Sequence, residues 1–189
     1  MSPMEPERQS VVRSAQDANA TRDLIEDVIL EEMADALGID PNATDETPSN
    51  SLTAALLPKW SMALARLRRV LPRVPAHVFS GLNSSEAFAT TEGPPAYVLR
   101  SIARTAATAT FNVDQLHAFV FEGIRTKRWV TRHDDDVRPT HKAEDGVTLP
   151  LGTPFIVGPT HSPMQYPGDQ RTAPIGLWVQ CRCVLLPGE

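Results

Sequence analysis

Leu24, Ile25, Val28, Ile29, Met33 and Leu37 recur at the three- and four-residue spacing of one helical face. The pattern predicts an amphipathic helix over "TRDLIEDVILEEMADALG", with Thr21 capping its start, Asp23 in its first turn and Gly38 at its end. Its other face is strongly acidic, so the helix is expected to dock on its own domain or on a partner. "IDPNATDETPSNS" then reads as a linker. In "SLTAALLPKWSMALARLRRVL", Pro58 suits the first position of another helix, with Trp60, Leu64, Leu67 and Leu71 facing one way. The longest periodic run is "AYVLRSIARTAATATFNVDQLHAFVFEG". Leu99, Ile102, Ala103, Ala106, Thr110, Val113, His117 and Val120 recur in it at helical spacing. Pro95 suits its beginning and Gly123 its end, which predicts a helix of roughly 40 Å. His117 lies on or beside the stripe and reads as a core histidine.

From Ile124 the texture changes. "IRTKRWVTR" reads as a strand, "RPTHKAEDG" as a tight turn or a single helical turn, and "VTLPLGTPFIVG" as strand pieces. "MQYPGD" is a turn built on Pro-Gly, and "GLWVQCRCVLLP" reads as a final strand. The expected fold is therefore α+β: a helical N-terminal part with a long central helix, then a small, loop-rich antiparallel β unit at the C-terminus. Three segments follow from this reading. Residues 1–50 form an acidic arm with one amphipathic helix, 51–123 a helical region, and 124–189 the β unit.

Charge sharpens that division. Residues 1–50 carry 12 acids and 3 bases, 51–132 carry 11 bases and 4 acids, and 133–189 carry 7 acids and 4 bases. Such blocks suggest charge-matched contacts between parts or between subunits, although solvated helix faces have the same look. Arg66, Arg68, Arg69 and Arg73 form a basic cluster that could meet an acidic partner or DNA. The net charge of −5 argues against broad nucleic-acid binding. No run approaches the 18 apolar residues of a membrane span, and "MSPMEPERQS" lacks the basic and apolar regions of a signal peptide, so neither is expected. The two cysteines, Cys181 and Cys183, are too close for an ordinary disulfide, which suits a reducing cytoplasm.

The candidate chemistry lies in the β unit. "WVTRHDDDVRPTHKAEDG" packs three aspartates between two histidines. A unit this small has little core of its own, so something must tie its loops together. One device is hydrogen bonding, with Asp136 accepting backbone N–H groups and pairing with Arg138 or Arg182. The other is a metal: His141, Cys181 and Cys183, with His133 or Asp136 as fourth ligand, have zinc-compatible chemistry. C-x-C is not the usual knuckle spacing, so a knot that needs no cofactor is the leading reading and zinc the second.

In order along the chain stand Lys127, Trp129, Asp136, Val137, Arg138, His141, Asp145, Gly146, Phe155, Pro167, Gly168, Asp169, Cys181, Arg182 and Cys183. This set resembles the C-terminal signature of the phage Mu F-like head-morphogenesis family, the minor head proteins of tailed bacteriophages. "IARTAATATFN" also resembles the family's helix ahead of the tryptophan. The likeness covers about residues 100–187, nearly half of the chain. Gln180 stands where the family usually has Asn, Ala106 stands where an acidic residue is common, and the chain is short for the family.

The resemblance implies a structural, non-enzymatic virion component made in the host cytoplasm. Such a protein acts in head assembly beside the portal or in the head interior, in multiple copies. Its partners would be the portal protein, the major capsid protein or both, and no membrane is implied; packaged DNA is a further candidate partner, read separately from the arginine cluster. Trp129 and Phe155 then serve as core and Asp136 with Arg138 as a turn-fixing ion pair. Gly146 and Gly168 supply backbone angles closed to other residues, and His141, Asp169 and Arg182 complete the knot. The competing class is a metal-dependent nuclease or toxin-like enzyme centred on His133-Asp134. No Gly-rich phosphate loop, G-x-S-x-G elbow or H-E-x-x-H motif supports it. A DNA-packaging or ejection accessory is the third class.

Overall fold

A computed structural model of the chain describes residues 11–38, 40–42, 65 and 95–188, without the side chains of 36, 37, 95, 96 and 98. Pro58, Trp60 and the arginine cluster at 66, 68, 69 and 73 lie outside the described residues. The described elements run α1 (Ala15–Leu37), α2 (Pro95–Glu122), β1 (Thr126–Val130), α3 (Pro139–Lys142), β2 (Thr148–Pro150), β3 (Phe155–Val157), β4 (Ser162–Met164), α4 (Ile175–Trp178) and β5 (Val184–Pro187). The fold is α+β, with a long central helix and small antiparallel sheets at the C-terminal end.

Helix α1 starts about two turns before Thr21. Ser14 caps it: the Asp17 N–H donates to Ser14 Oγ at 3.1 Å, and Ser14 Oγ lies 2.6 Å from Asp17 Oδ2. "SAQD" thus carries the S-x-x-D start pattern, with the side-chain cap made by Ser14, a signal that the apolar stripe overshadowed. Gly38 ends the helix as expected, in the left-handed region at φ 69°, with its N–H turned back to Ala34 and Asp35 carbonyls.

The buried line of α1 is Ala18, Arg22, Ile29 and Met33, with Ile25 half-buried beside them. Leu24 and Val28, expected on that face, are 66% and 40% exposed. Arg22 took their place. It is buried because its charge is answered on its own helix: Nη1 donates to Glu26 Oε2 at 2.9 Å and Nη2 pairs with Asp23. Helix α1 runs antiparallel along α2. Val11 and Val12 N–H groups reach Glu122 and Gln115, Arg104 Nε meets Glu26 at 3.1 Å, and Arg100 holds the Pro41 carbonyl. The docking surface left open by the sequence is the protein's own core.

Helix α2 spans the expected residues, and Gly123, at φ 72°, ends it. Its middle is buried on nearly every side, from Ser101 to Val113, because α1 covers one flank and the β unit the other. His117 is exposed and Val120 is 65% exposed, contrary to the core reading. For Val120 the cause is helical drift. Leu99, Ala106, Val113 and Val120 are seven apart, and a straight helix rotates about 20° per seven residues, so the stripe slides off the buried face.

In the β unit, β1 is the centre of a three-stranded antiparallel sheet, flanked by β2 and β5. Trp129 faces Leu185 in register, and Arg128 faces Thr148 and Leu186. Strands β3 and β4 form a separate hairpin. The final segment is not one strand. It is the helical turn α4, a left-handed Gln180 at φ 52°, and β5 only from Val184. One apolar cluster joins Ile29 and Met33, Leu99 to Val113, and Trp129, Phe155 and Leu185, so all three sequence segments contribute to it.

The register of α1 is testable by urea unfolding. Ile29→Ala should cost about 2–5 kcal/mol, and Leu24→Ala less than about 0.5 kcal/mol. Equal losses would restore the face read from the sequence.

Candidate metal centre

Two short pieces of chain bring the candidate donors together. His141 sits in the single turn α3, which Pro139 opens, and its N–H donates to the Arg138 carbonyl at 2.9 Å. Cys181 and Cys183 flank Arg182 in an extended stretch, where residues two apart project to the same side. C-x-C spacing therefore aims both sulfurs one way. Cys181 Sγ lies 3.7 Å and Cys183 Sγ 3.5 Å from His141 Nδ1. All three residues are buried, and their donor atoms lie within 4.8 Å of one another. This group could hold a metal ion. Two thiolates and an imidazole are soft and borderline donors, suited to zinc-like ions rather than to calcium or magnesium.

The electrostatics support deprotonation of one thiol. Its hydrogen bond with Cys183 lowers Cys181 well below the usual thiol value, burial opposes this, and His141 adds to the lowering. The same bond and burial push Cys183 up, so the pair gives up one proton readily and the second with difficulty. The donors share a small cavity of about 10 Å³ with Asp136, Arg138 and Arg182, room for one water-sized body.

Three side chains of α2 hold the cysteine segment in place. The Gln180 N–H donates to Thr105 Oγ1 at 2.8 Å, and Thr108 Oγ1 donates to the Cys181 carbonyl. Asn112 Nδ2 donates to the Cys183 carbonyl at 3.1 Å and the Pro167 carbonyl at 2.8 Å, while its Oδ1 accepts the Leu185 N–H at 2.7 Å. These helix side chains replace a strand ladder, which is why no strand forms before Val184. From the other side, Arg138 Nη2 donates to the Val179 carbonyl at 2.6 Å.

Of the two arginines expected as partners of Asp136, Arg182 takes it, and the turn-fixing Asp136–Arg138 pair does not form. Arg182 Nη2 binds Asp134 at 2.9 Å and Asp136 at 3.0 Å, while the Asp136 side chain is 82% exposed. The turn-fixing acceptor is Asp145, whose Oδ1 takes the Thr131 N–H at 2.7 Å and whose Oδ2 meets His133 Nε2 at 2.8 Å. Burial pushes the Asp145 carboxyl up, but these bonds outweigh it and hold it below the usual 3.8. His133 and Asp134, the His-Asp dipeptide, thus take separate partners.

The remaining knot residues pack as expected. Trp129 is fully buried, edge-on to Phe155 at 5.2 Å and to His141 at 5.5 Å. Gly146 and Gly168 hold φ of 77° and 83°. A Cβ at Gly168 would also press within 3.2 Å of Thr108 Cγ2. Asp169 is buried, forked by Arg171, and accepts the Gln165 N–H at 2.9 Å.

The roles of Thr105, Thr108, Asn112 and Lys127 escaped the sequence reading. The available signal was a polar line at helical spacing inside an alanine-rich run. Lys127 is fully buried, with Nζ 2.8 Å from the Gln165 carbonyl, 2.7 Å from Gln165 Oε1 and 5.3 Å from the Phe155 ring centre. Burial pulls it down to about 8, against the Asp169 carboxylate, which raises it.

Asn112→Ala strands two buried carbonyls and one N–H. At about 1–3 kcal/mol each, the loss should reach roughly 3 kcal/mol or more in denaturant unfolding. An unmoved midpoint would mean that those bonds contribute nothing. Lys127 gives a pH test. Between its folded value of about 8 and its ordinary 10.5 the unfolded chain carries the extra proton, so stability rises with pH across that window. Lys127→Met should lack this rise; parallel curves would place the amine in an ordinary environment. No family model, curated protein or solved structure matches the chain.

Proposed function

We propose that the chain is a structural minor capsid protein of a tailed bacteriophage, acting in head assembly beside the portal, with a zinc ion at His141, Cys181 and Cys183 closing its C-terminal unit. The observation that carries this reading is how the signature residues are spent. Trp129 and Phe155 fill the core, Gly146 and Gly168 make turns, Asp145 and Asp169 fix loops, and Cys181-Arg182-Cys183 is threaded along α2. Each has a structural partner, as a family signature for folding rather than for turnover would require. His133 is engaged by Asp145 and Asp134 by Arg182, which favours a wired turn over a metal-dependent nuclease or toxin.

The exposed face of α1 suits a partner in the head. Leu24 and Val28 stand beside the exposed acids Asp27 and Glu31, an apolar strip within a negative field. On this reading the portal or a neighbouring capsid protein meets that strip.

Quantitative mass spectrometry of purified, nuclease-treated particles of the phage encoding this chain tests the proposal. A fixed, low copy number relative to the portal protein is expected. Absence from particles would overturn it and favour an assembly-only factor or an enzyme.

A further inference from the structure

We infer that the zinc ion is completed by the carboxylate of Asp136, which swings from Arg182 into the fourth position. This rests on the zinc reading of the same three donors and holds whether or not the protein belongs to a virion.

The donors already stand at the spacing of a shared ion. Zinc bonds of about 2.3 Å to sulfur and 2.0–2.1 Å to nitrogen, at a tetrahedral angle, put N and S about 3.6 Å apart. The two Nδ1···Sγ distances are 3.5 and 3.7 Å. A single Nδ1 faces both sulfurs, the arrangement in which one ion can meet all three atoms. The Trp129 ring packs edge-on against His141 at 5.5 Å and holds the imidazole in place.

The fourth ligand follows from what is free to move. Structural zinc sites close with four protein ligands. His133 is held by Asp145 at 2.8 Å, with its backbone fixed in the left-handed region at φ 59°, so recruiting it would break an existing pair. Asp136 lines the cavity that the three donors share. Its side chain is exposed and bonded to Arg182 at 3.0 Å, and Arg182 keeps Asp134 at 2.9 Å once Asp136 leaves. The move costs one exposed ion pair, the weakest kind. Two thiolates and a carboxylate around a divalent ion carry one net negative charge, and Arg138 and Arg182 line the same cavity to balance it.

The test uses the full-length chain produced in zinc-supplemented medium. Elemental analysis gives metal content, chelator competition gives affinity, and cobalt replacement gives a spectrum that reports the ligand set. Wild type should hold one zinc per chain, and Cys183→Ser should lose it. Asp136→Asn should fold normally, weaken zinc by about tenfold or more and change the cobalt spectrum, while His133→Asn should leave both unaltered. Asp136→Asn with wild-type affinity and spectrum would overturn the Asp136 assignment and leave zinc standing. Weakening by His133→Asn alone would give the fourth position to His133. A wild-type chain that neither carries nor takes up zinc would overturn both readings and leave a hydrogen-bonded knot.

Discussion

The C-terminal unit depends on a polar line buried inside an apolar helix. Thr105, Thr108 and Asn112 lie along one face of α2 and take the backbone of residues 180–185. Between the helical turn α4 and the start of β5 that backbone has no strand partner, so its N–H and C=O groups would otherwise be stranded in the interior. Asn112 alone satisfies the Pro167 turn, the Cys183 carbonyl and the Leu185 N–H. A buried asparagine is tolerated here because both ends of its amide are answered. The cysteines and the Pro-Gly-Asp turn take their places from this line.

Charge links the same unit to the N-terminal helix. Arg182 holds Asp134, Arg132 Nε lies 3.8 Å from Asp134, and Arg132 grips Asp23 of α1 at 2.9 and 3.1 Å. The charge blocks read along the sequence are realised as contacts between its parts. The Asp23 carboxyl shows the balance: burial raises it, but Arg132 and Arg22 bring it below 3.8. Isolated pairs at such exposure contribute little, so the apolar seam of Ile29 and Met33 holds the helix and the ion pairs set its register.

Much of the fold was legible because its signals are local. Pro95 and Gly123 bound α2, Gly38 ends α1, and the switch to strand texture at Ile124 marks the β unit. The face of α1 was misread because apolar counting cannot foresee an arginine paired on its own helix. Val120 was misread because a seven-residue pattern drifts on a straight helix. Of the candidate site, His141, Cys181 and Cys183 do converge. Asp136 took Arg182, one of the two arginines expected for it, while Arg138 took the Val179 carbonyl some forty residues further on, where spacing carries no information. Asp145 and Asn112 were hidden for the same reason: their partners come from turns and segments whose placement only the folded chain decides.

The separation in sequence between Asn112 and its partners has a consequence for synthesis. Pro167 lies 55 residues later and Cys183 71 residues later. When α2 leaves the ribosome, the groups that will answer its polar face have not been made. Until residues 180–185 emerge, that helix can pack only provisionally, with Thr105, Thr108 and Asn112 turned to water. Emergence of β5 therefore converts a wet helix face into a dry one, and the C-terminal unit cannot close before these long-range contacts are available.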